Sequence, residues 1–377
     1  MYQAETIRPG ELNARDRQEW IGLLSVGSLR SPLFHPDFAA VVGRQRGDAR
    51  LLLVRDRQGL AAVFAHHRRP DGFARPIGSV FSDLHAVPMR AGLNLRMTDM
   101  LRMAGVKAFR FAALADAGSV RFEPAHGHHT TLAAVVTGDP AGFLAERTRE
   151  HPKKFKSFRR LARKLETEQG PVELKISREA SDLASLLEWK REQFRASGRH
   201  DVLSPAWARS LMKRLLERDG GDVRGRMIVL EAGGRTIAAE FGPSWGGVFH
   251  PWLAAYSPDW RAYSPGHLLV MKLIEAMPEL GLERYEMGPG CADYKKYFAS
   301  DRTPVHAGTI HSPGLQGRLG HHGERVWRNG LRLCGNRVEA LAARAQRRMD
   351  VIAAAETNAL SRLMGVTRAA GTMLRHD

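Results

Sequence analysis

Two rhythms of apolar residues run along this chain. Short stretches rich in β-branched and aromatic residues read as strands; longer ones with apolar positions every three or four residues read as helices. In the first part, "HPDFAAVVGRQ" predicts a helix with a turn-forming start, and "ARLLLVRDRQGLAAVFAHHRR" predicts two strands joined at Gln58-Gly59. "FARPIGSVFSDLHAVPM" reads as a loop with short strands, "LRMTDMLRMAG" as a helix stopped by Gly105, and "KAFRFAALA" as a strand. "TGDPAGFLAERTREHP" predicts a bridging helix, followed by the basic helix "KKFKSFRRLARKLETEQG". The strand "VELKIS" comes next, then "SDLASLLEWKREQFRAS", a helix with Ser181 as its expected N-cap, and "PAWARSLMKRLLERDGG", a helix with Pro205 near its first turn. Three strands follow, "GRMIVLEA", "RTIAAEFGPS" and "GVFHPWLAAY", joined by glycine turns of hairpin type. "SPGHLLVMKLIEAM" is a helix that Pro278 should end, and "ERYEMG" a strand. The order in this part is strand, two helices, three antiparallel strands, helix, strand.

Composition narrows the setting. A length of 377 residues suits two domains with cores large enough to fold without staples. The two cysteines, Cys291 and Cys334, cannot make a disulfide framework, so a cytoplasmic setting is expected. The sequence opens without a stretch like a signal peptide, and no run of about 18 apolar residues predicts a membrane span. The formal net charge of +17 points to anionic partners: nucleic acid, anionic lipid or phosphate-bearing small molecules.

The order of elements, with "SPDWRAYSPGHLLVMKLIEAMPELGLERYEMGPGCADYKKYFAS", "FRRLARKL", "LEWKREQF" and "ARPIGSVFSDLH", resembles the GNAT acetyltransferases, in particular the CelD-type subfamily of polysaccharide biosynthesis, distant relatives of the Fem peptidyltransferases. The likeness covers about residues 30–310, and holdfast-type polysaccharide N-acetyltransferases look like the nearest functional relatives. It implies an α/β (α+β) chain of two tandem GNAT-like domains, with mixed central sheets flanked by helices. Residues 1–140 would be a degenerate GNAT-like domain, 141–316 the acyltransferase domain, and 317–377 a basic helical tail.

The resemblance also implies chemistry. GNAT enzymes hold the acyl-CoA pyrophosphate on backbone N–H groups of an R/Q-x-x-G-x-G/A loop that opens a helix, where unpaired donors and the helix dipole favour an anion. Arg261, Ser264, Pro265 and Gly266 occupy that spacing, with Ser264 in place of the first glycine and no N–H on Pro265. The plainer alternative is an ordinary helix start with Ser264 as its cap. Tyr294, Lys295 and Phe298 resemble the F-K-x-x-F signature of Fem proteins. By that likeness Lys295 would stabilise the tetrahedral intermediate, Tyr294 or Tyr297 would protonate the leaving thiolate, and Asp293 would orient the lysine or the acceptor. A solvated turn with Tyr294 and Phe298 packing is the competing reading.

Transfer also needs a base. Glu240, in the apolar run "TIAAEF", and His250, in "VFHPW", are the candidates; either would otherwise be a buried, hydrogen-bonded structural group. Lys190 and Gln193 share a helix face, to which the resemblance gives an acceptor-side role and which would otherwise be a solvated face, and Trp252 and Tyr256 could stack on a sugar or simply pack. Cys291 lacks a neighbouring base, and the histidines at 126, 128 and 129 lack a companion cluster, so neither a thiol nucleophile nor a metal is expected.

These features predict an acyl-CoA-dependent N-acetyltransferase acting on an amino sugar of an exopolysaccharide or its lipid-linked precursor, with acetyl-CoA as co-substrate and O-acetylation close behind. The alternatives are a Fem-like transferase using aminoacyl-tRNA and a non-catalytic regulatory protein that binds a nucleotide or membrane. The tail mixes arginines with Trp327, Leu331, Val338, Leu341 and Val351 at helical spacing, which suits an anionic inner-membrane surface. Arg347, Arg348 and Asp350 also fit the short R-x-x-D pattern of cyclic-di-GMP sites. Helices that cover the catalytic domain or form a homodimer contact are the bland alternative.

Overall fold

The computed structural model describes residues 2–25, 30–115, 127–290, 294–333 and 336–373. In chain order the first elements are β1 (Gln3–Ile7), α1 (Ala14–Ser25), α2 (Pro36–Gln45), β2 (Ala49–Asp56), β3 (Gly59–Arg68), β4 (Phe73–Pro76), α3 (Met97–Met103), β5 (Ala108–Ala115) and β6 (Gly127–Val135). Then come α4 (Pro140–Glu150), α5 (Pro152–Gln169), β7 (Val172–Ser177), α6 (Ala180–Ala196), α7 (Ala206–Leu216), β8 (Arg224–Ala232), β9 (Arg235–Trp245), β10 (Val248–Phe249) and β11 (Leu253–Tyr256). The chain continues through α8 (Pro265–Ala276), β12 (Arg284–Pro289), α9 (Lys295–Phe298), β13 (Asp301–His311), α10 (Leu315–Leu333), α11 (Asn336–Ala355) and α12 (Ala359–Met373).

The strands join one 13-stranded mixed sheet in the order β1-β2-β3-β4-β5-β13-β6-β12-β10-β9-β8-β7, with β11 on β9. Helices cover both faces, so strands bury both sets of alternate side chains. In β2, Leu51 and Leu53 enter the core shared with α1, α2 and α7, while Leu52 and Val54 enter a second core with α3. The two halves read from the sequence are stitched together: β6 pairs with both β12 and β13, and β13 pairs with β5 on its other side. A charge cluster adds a second link, because Asp37 accepts from Arg17 and Arg218 while Arg17 also reaches Asp222.

The predicted order from β7 to β12 is present, with two local differences. The expected strand "GVFHPWLAAY" is broken at His250-Pro251 into β10 and β11, because proline cannot donate to a ladder. Helix α6 starts at Ala180 with Glu179 as N-cap, so Ser181 lies inside the helix; Ser177 Oγ instead accepts from the Glu179 N–H at 3.0 Å.

The tail is not an appendage. The end of α11 buries Ile352, Ala354 and Ala355. Its last carbonyls, which a helix leaves without internal partners, are capped from the body. Arg46 donates to Ala354 O at 3.1 Å, Arg69 to Ala353 O at 3.1 Å and Glu356 O at 2.6 Å, and Trp207 Nε1 to Ala355 O at 2.9 Å. Asp48 holds the two arginines in place, at 2.7 Å from Arg46 and 2.8 Å from Arg69. Burial opposes the Asp48 carboxylate, but His67 and Arg46 outweigh it and hold its pKa well below the usual range. Its contribution to stability is therefore present at neutral pH and lost as pH falls. Removing one partner of such a buried pair costs about 3–5 kcal/mol. Arg46→Ala is expected to lower unfolding stability at pH 7 by that order, and a denaturation midpoint within error of the parent would refute the anchoring role.

Candidate functional site

The sheet opens where a strand changes partner. β10 runs parallel to β12 for only two residue pairs, Val248 with Arg284 and Phe249 with Tyr285. After the His250-Pro251 break the chain resumes as β11 on β9, while β12 continues along β6 to Gly288 and Pro289. A cavity of about 360 Å³ lies between β9, β11 and the start of α8. Its walls come from β9 (Ala238, Ala239, Glu240), β11 (Ala254, Ala255, Tyr256), Gln193 of α6, the start of α8 and Tyr294.

The predicted donor loop forms part of the wall. Arg261, Ser264 and Gly266 all line it, and Pro265 is the first residue of α8. Ser264 adopts φ 54 and ψ 51, the left-handed region that glycine occupies most easily, so the backbone keeps a glycine-like shape at the first glycine position. Ser264 is the N-cap residue of α8, with Pro265 as the first helical residue, but its side chain makes no capping bond. The Gly266 N–H belongs to the first turn, whose donors have no partner within the helix. A Cβ built on Gly266 would meet only Tyr256 Cδ1, at 3.9 Å.

Glu240 also lines the cavity. Its side chain is 3 % exposed, and both its oxygens accept from the Tyr285 hydroxyl, at 2.8 and 3.0 Å. Burial raises its pKa to about 7, with the Tyr285 hydrogen bond and the Lys190 charge restraining the rise. Lys190 donates to Ala254 O at 3.0 Å and Gln193 Oε1 at 3.4 Å, and burial lowers its pKa. The Tyr294 phenol is pushed up by burial first, then by the Glu240 and Asp83 charges, so it is held protonated. His267 lines the same space, stacked on Phe158 at 4.7 Å, and burial lowers its pKa.

Several expected residues sit elsewhere. Trp252 packs against Phe38 and Phe81, each with ring centroids 5.7 Å away, and does not line the cavity. His250 is fully buried, its Nε2 2.6 Å from Asp83 Oδ1. Burial works against its imidazolium, but the Asp83 carboxylate outweighs it and raises the pKa. Lys295 also stands off the cavity: its ammonium donates to Pro289 O at 2.8 Å and Gly288 O at 3.3 Å, which fixes the glycine turn. Phe298 packs with Phe155 and Phe158 of α5, and Lys154 lies over the Tyr297 ring. Asp293 and Cys291, and the histidine at 126, lie outside the described residues. In the tail, Asp350 is held by Arg75 at 3.3 Å and Arg110 at 2.6 Å, so the acid of the R-x-x-D pattern is committed inside the chain. Among the described residues one group, His35, Asp37 and Asp222, brings metal-type ligands within 4.8 Å, but arginines already occupy both carboxylates.

Asp83, Tyr285 and His267 were not singled out in the sequence. Asp83 and His250 are 167 residues apart, and Tyr285 and Glu240 are 45 apart, so only the fold brings each pair together. The one local signal was for Tyr285, an alternating position in "ERYEMG" between two glutamates.

Residues 152–296 match the family model described as acetyltransferase (GNAT) domain. This part of the chain is a GNAT acetyltransferase domain. It contains every residue that lines the cavity, and a GNAT domain implies acetyl-CoA as co-substrate. No curated protein matches the chain. Solved structures with a similar fold include FemX (10% identity, 81% of this chain and 96% of that one, TM-score 0.49). A tandem GNAT protein of the clavulanic acid pathway shares 10% identity over 83% of this chain and 99% of its own, with a TM-score of 0.45. The fungal glucosamine N-acetyltransferase region of a multi-domain β-N-acetylglucosaminidase shares 10% over 82% of this chain and 38% of its own, with a TM-score of 0.41.

Proposed function

We propose that the GNAT domain transfers an acetyl group from acetyl-CoA directly to an amino group, and that the acceptor is an amino sugar of an exopolysaccharide or its lipid-linked precursor. The observation that supports the transfer is one cavity lined both by the start of α8 and by a carboxyl of pKa about 7. At neutral pH about half of Glu240 is ionised, which suits a general base. Glu240 takes a proton from the acceptor amine as its nitrogen attacks the thioester carbon. The C–S bond then breaks, and the Tyr294 hydroxyl supplies the proton that the departing thiolate needs. Gln193, which lines the cavity with Glu240 and accepts from Lys190, orients the acceptor through its hydroxyl groups. The subfamily likeness of the sequence motifs supports the amino-sugar assignment.

Native mass spectrometry with acetyl-CoA should show a one-to-one adduct, and glucosamine should stimulate CoA release. Absence of the adduct would sink this reading, and copurified nucleic acid in its place would favour a tRNA-dependent transferase. Gly266→Asp places a carboxylate beside the proposed pyrophosphate without a steric conflict. CoA affinity by calorimetry should fall roughly tenfold or more while the melting temperature holds; unchanged affinity would move the donor site elsewhere.

A further inference from the structure

Helix α10 is mounted with its apolar side outward. At 100° per residue, Leu315, Leu319 and Val326 fall within an arc of about 40°, and they are 76%, 65% and 58% exposed. Gly320 and Glu324 lie roughly opposite, at about 140–180°, on the side next to His311 of the body. His311 of β13 is 3.0 Å from the Glu324 carboxylate, and a Cβ on Gly320 would come within 3.2 Å of the His311 ring. A helix that served only to cover the domain would be turned the other way. Trp327, at about 120° on the same wheel, is 61% exposed. The pattern extends through the tail: among the described residues, the exposed large apolar side chains lie in α10–α12, with Ile176 the exception. Such a concentration of apolar surface marks an interaction site.

Charge decides what covers it. The α10 sequence holds four arginines, at 318, 325, 328 and 332, against one acid, Glu324, which is already engaged with His311. Arg318 is exposed beside Leu315 and Leu319. A second copy of this chain would bring an equally basic helix against it, in a protein of net charge +17. An anionic bilayer supplies both missing complements: an acyl region for the stripe and lipid phosphates for the arginines. Among the described residues no helix is long and apolar enough to cross a membrane.

We propose that the outward stripe of α10, led by Leu315 and Leu319, is a membrane-docking face that lies in the plane of an anionic bilayer. The body-side contacts of α10 and α11 hold this face in a fixed orientation to the rest of the protein.

The test is cosedimentation of the full chain with phosphatidylcholine vesicles, with and without about 30 mol % phosphatidylglycerol. The parent should pellet with the anionic vesicles, and the Leu315→Glu, Leu319→Glu double variant should bind about tenfold more weakly or worse. Both positions are exposed, so the fold should tolerate the change; should the double variant melt early, the single Leu319→Gln variant takes its place. CoA binding should be the same in parent and variant, which separates this proposal from the catalytic one. A parent that ignores anionic vesicles overturns the proposal, as does a variant that binds them undiminished, which would assign the charge-driven binding to α5. A parent dimer dissolved by the same substitutions, with no vesicle binding, would give the stripe to a second copy.

Discussion

Glu240→Gln should abolish most turnover while making the protein more stable above neutral pH. The rate effect follows from losing the base in a dry cavity, roughly 10²–10⁴-fold in kcat. The stability effect follows from linkage. The folded pKa, about 7, lies above the ordinary value of 4.5, so the folded state holds a proton that the unfolded chain has released in that interval. Stability is then lost as pH rises from 4.5 towards 7, and a neutral amide avoids that loss. A shift of this size corresponds to about 3 kcal/mol, the upper bound on the gain at pH 8. The parent should also show kcat rising with pH through about 7, a limb that the variant lacks. Normal turnover in the glutamine variant, or a parent profile flat across pH 6–8, would remove Glu240 from the reaction.

Tyr294→Phe should cost about 10²-fold in kcat and leave CoA affinity within a few-fold. The phenol lines the cavity and is held protonated by burial and by two nearby carboxylates. Its proposed task is to protonate a thiolate, so the cost should depend on the leaving group. An acetyl donor with a thiophenol leaving group needs little protonation, and the variant should recover most of the lost rate on it. An equal deficit on both donors would mean that Tyr294 shapes the cavity and moves no proton.

The part of the fold between β7 and β12 was legible because its information is local. Glycine turns separate alternating strands, and Pro205 and Pro265 stand at helix starts. Strands β6 and β13 are not legible in the sequence, because each carries a weak apolar pattern and is defined by partners far away in sequence. Glu240 was legible as a carboxylate in an apolar run, and the donor loop by spacing. The demotion of Lys295 and Trp252 from the cavity was not, since nothing in "DYKKYF" or "HPW" says which way a side chain turns. The outward stripe of α10 belongs to the same class. Periodicity shows that a helix has two faces, and only Gly320, Glu324 and His311 together show which is inside.

The position of β13 has a consequence for how the chain is made. β5 and β6 are successive in sequence, yet β13 sits between them and pairs with both. During synthesis these two strands emerge long before residues 301–311 do. Each must wait with an open backbone edge, the kind of surface that other nascent chains can extend into. The final joining is the insertion of a late strand into a slot, and such long-range pairing is slow. A polypeptide interrupted before residue 301 would keep the whole donor loop and Glu240 but leave that slot empty. Expression of residues 1–300 alone should therefore yield aggregates more readily than expression of the full chain.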